Sequence, residues 1–498
     1  MRRLILKKFE RIRTRFAPSP TGFMHVGNLR TALYAFLIAR KNNGDFIVRL
    51  EDTDQERKIE EAVDFIFDTL EHAGITHDES LREGGDYGPY IQSERLSVYK
   101  KHVEKLLETG HAYRCFCDRD RLECLKKEAR EKDGPRLYDG HCRNLTEEEV
   151  VKNIEDGKPY VIRQHIPKEG TTSFHDEVFG DISIDNSTMD DHILMKSDGF
   201  PTYNFANVVD DHLMKISHVV RGSEYLISTP KYNLLYEAFG WEKPVYVHVS
   251  PVMRDKNRKL SKRDGDAGYH DFIKKGYLPE AVINYIALLG WSPGDDREKF
   301  TMEELVKVFS IAGINKSPAV FDEDKLKWLN HQYIQSMTAE EFHEHALPWL
   351  KKAVKSSNVN LPEVSKPLQR RTERFSDIPP QLDFLDILPD YSTELYIHKK
   401  MKTDEENSLE SLEFLLPLLK DIPESEWSNE KLYLTIKERS KEAEISRKKV
   451  LWAMRVAISG KKSTPGGGTE IAVMLGRNET LDRIEKGIEK LREAGVQR

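Results

Sequence analysis

Arg15-Phe-Ala-Pro-Ser-Pro-Thr-Gly-Phe-Met-His25-Val-Gly-Asn28 is the stretch that decides the fold of this 498-residue chain. Its two prolines and two glycines predict an irregular loop, which runs directly into a helix-like segment at residues 29–40. Gly27 has no Cβ to keep a ligand away from the backbone. His25 falls where the helix begins, and helix N-termini bind anions through free N–H groups and the helix dipole. The stretch therefore predicts an anion-binding loop, with a plain strand-to-helix turn as the alternative.

A basic segment lies far downstream, at Arg258-Lys-Leu-Ser-Lys-Arg-Asp-Gly265. Lysines and arginines beside a serine and a glycine suit a mobile loop that closes over a polyphosphate. Alone, such a run more often marks a solvated surface. Because the same chain carries the loop around His25, we interpret the two segments as opposite sides of one nucleotide-phosphate site.

The composition describes a globular protein with a heavily charged surface, 38 % apolar and 32 % charged. No segment approaches the ~20 apolar residues of a membrane span, and no signal-peptide pattern opens the chain, so we expect no membrane. Four cysteines argue against a disulfide scaffold and for the reducing cytoplasm. The net charge of −7 does not exclude nucleic acid, because phosphate recognition needs only a local basic face.

Strand and helix signals alternate over residues 12–72, with strands at 12–16 and 45–50 and helices at 29–40 and 59–72. This alternation predicts βαβ units and a parallel sheet. Ligands of such sheets bind beyond the carboxyl ends of the strands, where both the proline loop and Glu51 fall. Beyond Pro279 the pattern is almost wholly helical.

The expected fold class is an α/β Rossmann-type catalytic domain with an α+β insertion, followed by all-α C-terminal domains. The predicted parts are the first Rossmann half (1–90), the insertion (91–201), the second Rossmann half (202–257), a helical domain opened by the basic loop (258–335), and two further helical parts (336–392 and 393–498).

His25-Val-Gly-Asn28 and Lys259-Leu-Ser-Lys-Arg263 resemble the HIGH and KMSKS motifs of class I aminoacyl-tRNA synthetases. The proline loop, Arg49-Leu-Glu-Asp-Thr-Asp54 and Pro201-Thr-Tyr-Asn-Phe-Ala-Asn-Val-Val-Asp-Asp-His212 resemble bacterial glutamyl-tRNA synthetases more specifically. The resemblance runs from about residue 13 to near the C-terminus and weakens after about residue 333. Asn28 stands where the general motif has a second histidine. Asparagine keeps hydrogen-bonding capacity, so we expect a modest change in nucleotide contacts.

The resemblance implies that ATP, accompanied by Mg²⁺, and L-glutamate form glutamyl-adenylate, and that the glutamyl group then passes to the 3′-terminal adenosine of tRNA(Glu). Arginine suits the substrate carboxylates because its guanidinium can donate two parallel hydrogen bonds. The implied glutamate-binding residues are Arg15, Ala17, Ser19, Glu51, Tyr203, Asn207 and Arg221. The implied ATP-binding residues are His25, Gly27, Asn28, Glu224, Tyr225, Lys259, Ser261, Lys262 and Arg263. Of these, His25, Lys259 and Lys262 are expected to act in catalysis.

Three cysteines suggest a zinc site. Cys115 and Cys117 are two apart, and Cys142 follows after twenty-four intervening residues. The spacing resembles a zinc knuckle of some family members, but Asn144 stands at the fourth position and is a poor ligand. His141 or Cys124 are alternative fourth donors, and buried free thiols are the alternative to zinc.

The resemblance also implies that the insertion binds the acceptor end of tRNA(Glu), that residues 258–335 contact its stem, and that the remaining helical parts bind its anticodon. Arg374 lies near the family's anticodon-reading arginine, and the alternative is a charge on a helix end. We expect a monomer. The competing hypotheses are a glutaminyl-tRNA synthetase, a truncated enzyme that glutamylates a tRNA base, a catalytically dead RNA-binding paralogue and an unrelated nucleotidyltransferase.

Overall fold

The computed structural model describes residues 9–20, 24–54, 60–131, 138–260, 268–356 and 359–495. The chain divides into two compact units, Met1–Phe272 with Val282–Asp322, and Ile273–Ala281 with Glu323–Arg498. Among the described residues, every helix is too short or too polar to span a lipid bilayer.

The strands are short, and all eleven in the described residues belong to the first unit. In chain order they are β1 (Arg13–Phe16), β2 (Asp45–Val48), β3 (Ala112–Cys115), β4 (Val161–Gln164), β5 (Thr171–Asp176), β6 (Gly180–Asp185), β7 (Ile193–Met195), β8 (His218–Gly222), β9 (Val245–Val249), β10 (Val252–Met253) and β11 (Ala319–Val320).

The helices become more frequent toward the C-terminus. In chain order they are α1 (Val26–Lys41), α2 (Glu60–His72), α3 (Leu96–Glu108), α4 (Arg119–Glu131), α5 (Glu147–Glu155), α6 (Tyr203–Leu213), α7 (Thr229–Phe239), α8 (Tyr269–Lys274), α9 (Pro279–Leu288), α10 (Met302–Val308), α11 (Glu323–Gln335), α12 (Ala339–Ala353), α13 (Leu361–Leu368), α14 (Glu405–Lys420), α15 (Asn429–Glu442), α16 (Arg447–Ser459), α17 (Gly468–Leu475) and α18 (Arg477–Glu493).

A six-stranded sheet in the order β2-β1-β8-β9-β5-β6 forms the centre of the first unit. Every neighbouring pair is parallel except β5 with β6, which pair antiparallel. Both β5 and β6 lie within the segment expected to be an insertion, yet they extend the main sheet through β9. The carboxyl ends of β1, β8 and β9 therefore meet at one edge, where parallel sheets bind ligands.

The first βαβ unit is fixed by burial on both faces. All four residues of β1 and all four of β2 are buried. Thr14 donates a hydrogen bond from its Oγ1 to the carbonyl of Ala35 in α1, at 2.8 Å. A Cβ on Gly44 would lie 2.1 Å from the Ile12 oxygen, so the turn before β2 requires glycine. The predicted strands and helices of this region are confirmed to within a few residues.

A smaller antiparallel sheet, β3-β4-β7, stands apart from the main sheet. Apolar residues of α3, α6 and α7 form one core cluster with residues of β3 and β7. A strand-and-helix insertion at this point agrees with the expected α+β region.

The second unit is almost entirely helical. Its core contains residues from α12 to α18, including Phe342, Leu412, Val450 and Ile484. Among the tightest pairings, α14 packs on α16 and α18. The expected fold class, an α/β domain followed by all-α C-terminal domains, is confirmed.

Candidate active site

A cavity of about 610 Å³ opens at the carboxyl ends of β1, β8 and β9. The predicted site residues that line it are Arg15, Ala17, Ser19, His25, Gly27, Asn28, Glu51, Tyr203, Arg221, Glu224, Tyr225 and Lys259. Asn207 is buried beside the cavity but does not line it, and its amide donates to the Tyr203 carbonyl at 2.7 Å. Ser261, Lys262 and Arg263 lie outside the described residues.

His25 caps the N-terminus of α1. Its Nδ1 accepts hydrogen bonds from the backbone N–H groups of Gly27, at 3.0 Å, and Asn28, at 3.4 Å. A neutral imidazole that accepts at Nδ1 carries its proton on Nε2. A Cβ on Gly27 would lie 2.9 Å from His25 Cε1, so glycine keeps room for the ring. The cap therefore makes Nε2 a donor at the positive end of a helix dipole.

Two buried arginines reach the cavity from neighbouring strands. Arg15 of β1 donates from Nε to Asp211, at 3.1 Å, and from Nη1 to the Val220 carbonyl. Arg221 of β8 donates from Nε to His248, at 3.0 Å, and from Nη2 to Thr229, at 2.8 Å. Each guanidinium group uses two of its nitrogen atoms to bind the protein, and both arginines line the cavity.

A buried charge network lies beneath the cavity. Arg49, fully buried, donates to Glu51 at 2.9 Å and to Asp211 at 2.8 Å. Burial raises the pKa of Glu51 to about 7, against the lowering effect of Arg49. Burial also acts to raise the pKa of Asp211, but Arg15 and Arg49 outweigh it and hold that pKa below its usual value. Sequence reasoning quoted Arg49 and Asp211 without finding this network, because the two residues are 162 positions apart.

Further lining residues of the cavity lie on α6, after β8 and at the start of the basic segment. The rings of Tyr203 and Tyr225 lie 5.3 Å apart. A Cβ on Gly222 would lie 2.3 Å from the Glu224 carboxylate oxygens, so the glycine lets Glu224 fold back over β8. The exposed Lys259 pairs with Met253 through a backbone bridge, and Gly268 pairs in the same way with His25. Residues on both sides of the basic segment are thus fixed beside the cavity.

Family models match almost the whole chain. Residues 11–328 match the catalytic domain of class I tRNA synthetases of the E and Q type, and residues 341–488 match an anticodon binding domain. Over 482 residues the chain is 56 % identical to the glutamate--tRNA ligase of Clostridium tetani, covering 97 % of this chain and 98 % of that protein.

The chain belongs to the glutamate--tRNA ligase family. The family member of Clostridium kluyveri is 55 % identical, over 97 % of this chain and 98 % of that protein. A crystal structure of the family, from Elizabethkingia meningosepticum in complex with its amino acid, has a TM-score of 0.88 and 36 % identity. It covers 97 % of this chain and 100 % of its own. The resemblance drawn from the motifs is confirmed.

A cysteine cluster lies outside the cavity of this family member. The sulfur atoms of Cys115, Cys117 and Cys142 lie within 4.8 Å of one another. The hydroxyl of Tyr138 lies 3.3 Å from both Cys115 Sγ and Cys117 Sγ, and accepts the backbone N–H of Cys142 at 3.0 Å. Cys124 is exposed, and neither it nor His141 joins the cluster. The fourth polar group in contact with the cluster is the Tyr138 phenol, which the spacing of cysteines and histidines did not predict.

The second unit, called the anticodon-domain unit because it contains residues 341–488, has a cavity of about 500 Å³ among others. Tyr433, Lys448, Trp452 and Arg455 are among its lining residues. Arg455 Nε is buried and has no hydrogen-bond partner among the described residues. Burial, with the nearby charge of Arg371, lowers the pKa of Arg455. Arg374 is instead held by Asp377, at 2.8 Å, and Glu323, at 3.6 Å.

Proposed function

We propose that the protein attaches L-glutamate to tRNA(Glu) by way of glutamyl-adenylate. The observation that carries this proposal is one cavity that combines two buried arginines, a buried carboxylate and a histidine at a helix N-terminus. Glutamate presents two carboxylates and one ammonium, and this set of charges is complementary to it. The family membership supports the same activity.

Arg221 and Arg15 are the proposed partners of the substrate carboxylates, and Glu51 is the proposed partner of the α-ammonium. Ala17, Ser19 and Tyr203 line the same cavity and complete the glutamate site. Asn207 does not contact the substrate in this proposal. Its side-chain amide donates to the Tyr203 carbonyl and so positions the backbone of Tyr203. Glutamine in this site would leave a buried arginine without its counter-charge, which disfavours the amide.

ATP occupies the part of the cavity between the α1 N-terminus and Tyr225. Gly27 leaves space for the phosphates at the α1 N-terminus, and the side-chain amide of Asn28 is the proposed contact beside it. Glu224 and Tyr225 lie at the adenosine end, and Lys259 lies at the edge. Ser261, Lys262 and Arg263 complete the phosphate contacts in this proposal. The described residues include no cluster of three carboxylate or histidine ligands, so we assign Mg²⁺ to the ATP phosphates, its usual partners.

In the first step an oxygen of the glutamate α-carboxylate attacks the α-phosphorus of ATP, and diphosphate leaves. His25 Nε2 donates to the phosphate oxygens as charge grows on them, and Lys259 and Lys262 neutralise the leaving diphosphate. In the second step the 2′-hydroxyl of the terminal adenosine attacks the acyl carbon, and AMP leaves. The protein acts chiefly by alignment and charge stabilisation.

Charging assays with labelled amino acid test the proposal. The protein is incubated with ATP, Mg²⁺ and either L-glutamate or L-glutamine, on purified tRNA(Glu) and tRNA(Gln). Glutamate on tRNA(Glu) is the expected product, and charging of tRNA(Gln) with glutamate would extend the substrate range. Glutamine as the only substrate would indicate a glutaminyl enzyme, and no charging would indicate an RNA-binding paralogue.

The pH dependence of glutamate binding tests the role of Glu51. Because the pKa of Glu51 is about 7, the carboxyl is mostly protonated at pH 6 and mostly ionised at pH 8. Only the ionised form pairs with an ammonium, so KM for L-glutamate should fall by about tenfold from pH 6 to pH 8. The Glu51→Gln variant should bind L-glutamate weakly, and its KM for L-glutamate should be the same at pH 6 and pH 8. A KM equal at both pH values in the unmodified protein would contradict the assignment.

We also propose that the cysteine cluster binds structural zinc. Tetrahedral zinc–thiolate bonds place two sulfur atoms ~3.8 Å apart, and Cys117 Sγ lies 3.6 Å from Cys142 Sγ. Cys142 Sγ also accepts the Phe116 backbone N–H at 3.4 Å, which suits a thiolate. Tyr138 supplies the fourth donor in place of Asn144.

Metal analysis tests the zinc proposal. The purified protein should contain about one zinc per chain, as a single tetrahedral site requires. Cys142→Ser should lose the metal, whereas Cys124→Ser, at the exposed cysteine, should keep it. Zinc-free protein with an unchanged melting temperature would favour buried free thiols instead.

For the tRNA partner, we propose that the anticodon reaches the cavity around Trp452 and Arg455, in addition to the predicted contact at Arg374. A half-buried guanidinium, 5.8 Å from the ring centre of Trp452, suits a splayed base, which stacks and accepts hydrogen bonds. The six-part domain division, a monomeric state and a cytoplasmic location stay predictions from the sequence.

Replacing Arg455 with alanine should raise KM for tRNA(Glu) by roughly tenfold, the effect of one charged hydrogen bond to a base. KM for L-glutamate should not change, because Arg455 lies in the anticodon-domain unit. Arg439→Ala removes an exposed arginine that pairs with Glu442, and serves as the control. Equal effects of the two substitutions would argue for a general loss of basic charge.

A further inference from the structure

The contact that fixes Arg221 is unusual for a buried arginine, because its partner is a histidine. Arg221 Nε donates to His248 Nε2 at 3.0 Å. His248 lies on β9, opposite Arg221 in the parallel register, and its side chain is fully buried. Among the described residues no carboxylate comes within ion-pair distance of the Arg221 guanidinium. Arg15, in contrast, is paired with Asp211.

The tautomer of His248 follows from its two neighbours. Arginine has no acceptor, so His248 Nε2 must present a lone pair, and the single proton of the ring then lies on Nδ1. Nδ1 lies 2.6 Å from Asp176 Oδ2 and donates to it. Burial lowers the pKa of His248 to about 4, despite the opposing effect of Asp176, which keeps the ring neutral near pH 7.

Asp176 is itself fixed by the backbone. Its Oδ1 accepts the N–H groups of Val178, at 3.0 Å, and Phe179, at 2.8 Å, and its Oδ2 also accepts the His248 N–H at 3.1 Å. The side chain is fully buried at the end of β5. A chain of three polar groups therefore runs from the backbone through Asp176 and His248 to Arg221.

We propose that His248 and Asp176 are positioning residues that orient Arg221 for glutamate and preserve its charge for the substrate. This inference rests on the proposed function. A neutral partner at Nε fixes the plane of the guanidinium without cancelling its charge, so the bound ligand must supply the counter-charge. A carboxylate in the place of His248 would satisfy Arg221 internally and remove the preference for an acidic substrate.

Rings on several sides support the same reading. The Arg221 guanidinium carbon lies 4.8 Å from the Tyr232 ring centre and 5.2 Å from that of Tyr225. Aromatic rings attract a cation but do not neutralise it. The open direction of the guanidinium is the cavity, which Arg221 lines.

Steady-state kinetics of three variants test the proposal. His248→Leu removes the acceptor for Nε and should raise KM for L-glutamate by about 10- to 100-fold, the effect of a lost charge-assisted hydrogen bond. The preference for glutamate over glutamine in kcat/KM should narrow, while KM for ATP should change less than about twofold, because ATP makes no proposed contact with Arg221. His248→Gln carries an acceptor oxygen near the position of Nε2 and should restore most of the glutamate affinity.

The Asp176→Asn variant provides an independent test of the proposal if His248→Leu does not fold. The amide can donate to His248 Nδ1, which shifts the ring proton to Nε2 and removes the acceptor that Arg221 uses. The glutamate KM should rise as in His248→Leu. His218→Gln, a buried histidine at the opposite end of β8 bonded to Ser217, is the matched control, and should leave KM for glutamate unchanged.

The outcomes separate the inference from the proposed function. If the unmodified protein charges tRNA(Glu) but the folded His248 and Asp176 variants keep its glutamate KM, the positioning role is wrong and the function stands. The role would also be overturned if the His248→Leu and Asp176→Asn variants lost kcat but kept KM for every substrate. A His248→Gln variant that does not recover the affinity for L-glutamate would overturn it as well. If the unmodified protein charges no tRNA, the proposed function itself fails.

Discussion

Replacement of Arg221 by leucine is expected to lower kcat/KM for L-glutamate by about 10³-fold, which corresponds to about 4 kcal/mol. The reason is that the substrate carboxylate would enter a buried site without its counter-charge. Most of the loss should appear in KM for glutamate. The discrimination against glutamine should disappear, because the position of Arg221 then offers no charge to either substrate.

Arg221→Lys serves as the control for charge alone. Lysine keeps the positive charge but has no Nε donor for His248 and no planar pair of donors for the carboxylate. We expect kcat/KM for L-glutamate to fall by about 10- to 100-fold, less than in Arg221→Leu, since lysine still provides a charged hydrogen bond. Charging assays at varied glutamate and glutamine concentration measure both variants. A leucine variant that keeps its preference for glutamate would place the specificity elsewhere.

The second large effect is expected at His25, whose two nitrogen atoms have separate tasks. His25→Ala should lower kcat for tRNA charging by about 10²- to 10³-fold, the usual effect of losing one donor to a developing negative charge. The same change should lower the free energy of unfolding by about 1 kcal/mol, because Nδ1 no longer caps α1.

His25→Ser separates the two tasks. Serine is a good N-cap residue, so the melting temperature should recover, whereas the donor that Nε2 provides is still missing and kcat should stay low. Calorimetry and charging kinetics, with tRNA(Glu) present in every assay, measure the two quantities. Recovery of kcat by serine would mean that His25 acts only through the structure of the helix N-terminus.

The local parts of the site could be predicted from the sequence because they are contiguous. The proline loop, Glu51 and the residues after β8 follow strand ends directly, and strand ends of a parallel sheet share one edge. Asn207 illustrates the limit of such reasoning, because it acts through the Tyr203 backbone rather than as part of the cavity wall.

The distant parts could not be predicted, because they depend on register between strands that are remote in the chain. His248 faces Arg221 only through the pairing of β8 with β9, and Asp176 reaches His248 only because β5 joins the main sheet. Tyr138 was missed for a different reason. A single tyrosine among charged residues has no spacing pattern that marks it as a neighbour of three thiols.

The charge network beneath the cavity has a consequence for synthesis on the ribosome. Arg49 and its partner Asp211 are 162 positions apart in the chain, and Arg15 is 196 positions from the same carboxylate. At a synthesis rate of 5–20 residues per second, roughly 10–30 s pass between the emergence of Arg49 and that of Asp211 from the ribosomal exit tunnel. During that interval Arg15 and Arg49 lack the carboxylate of Asp211, and Glu51 is the partner of Arg49 that is already present. The amino-acid pocket therefore cannot close until the second half of the sheet has been translated.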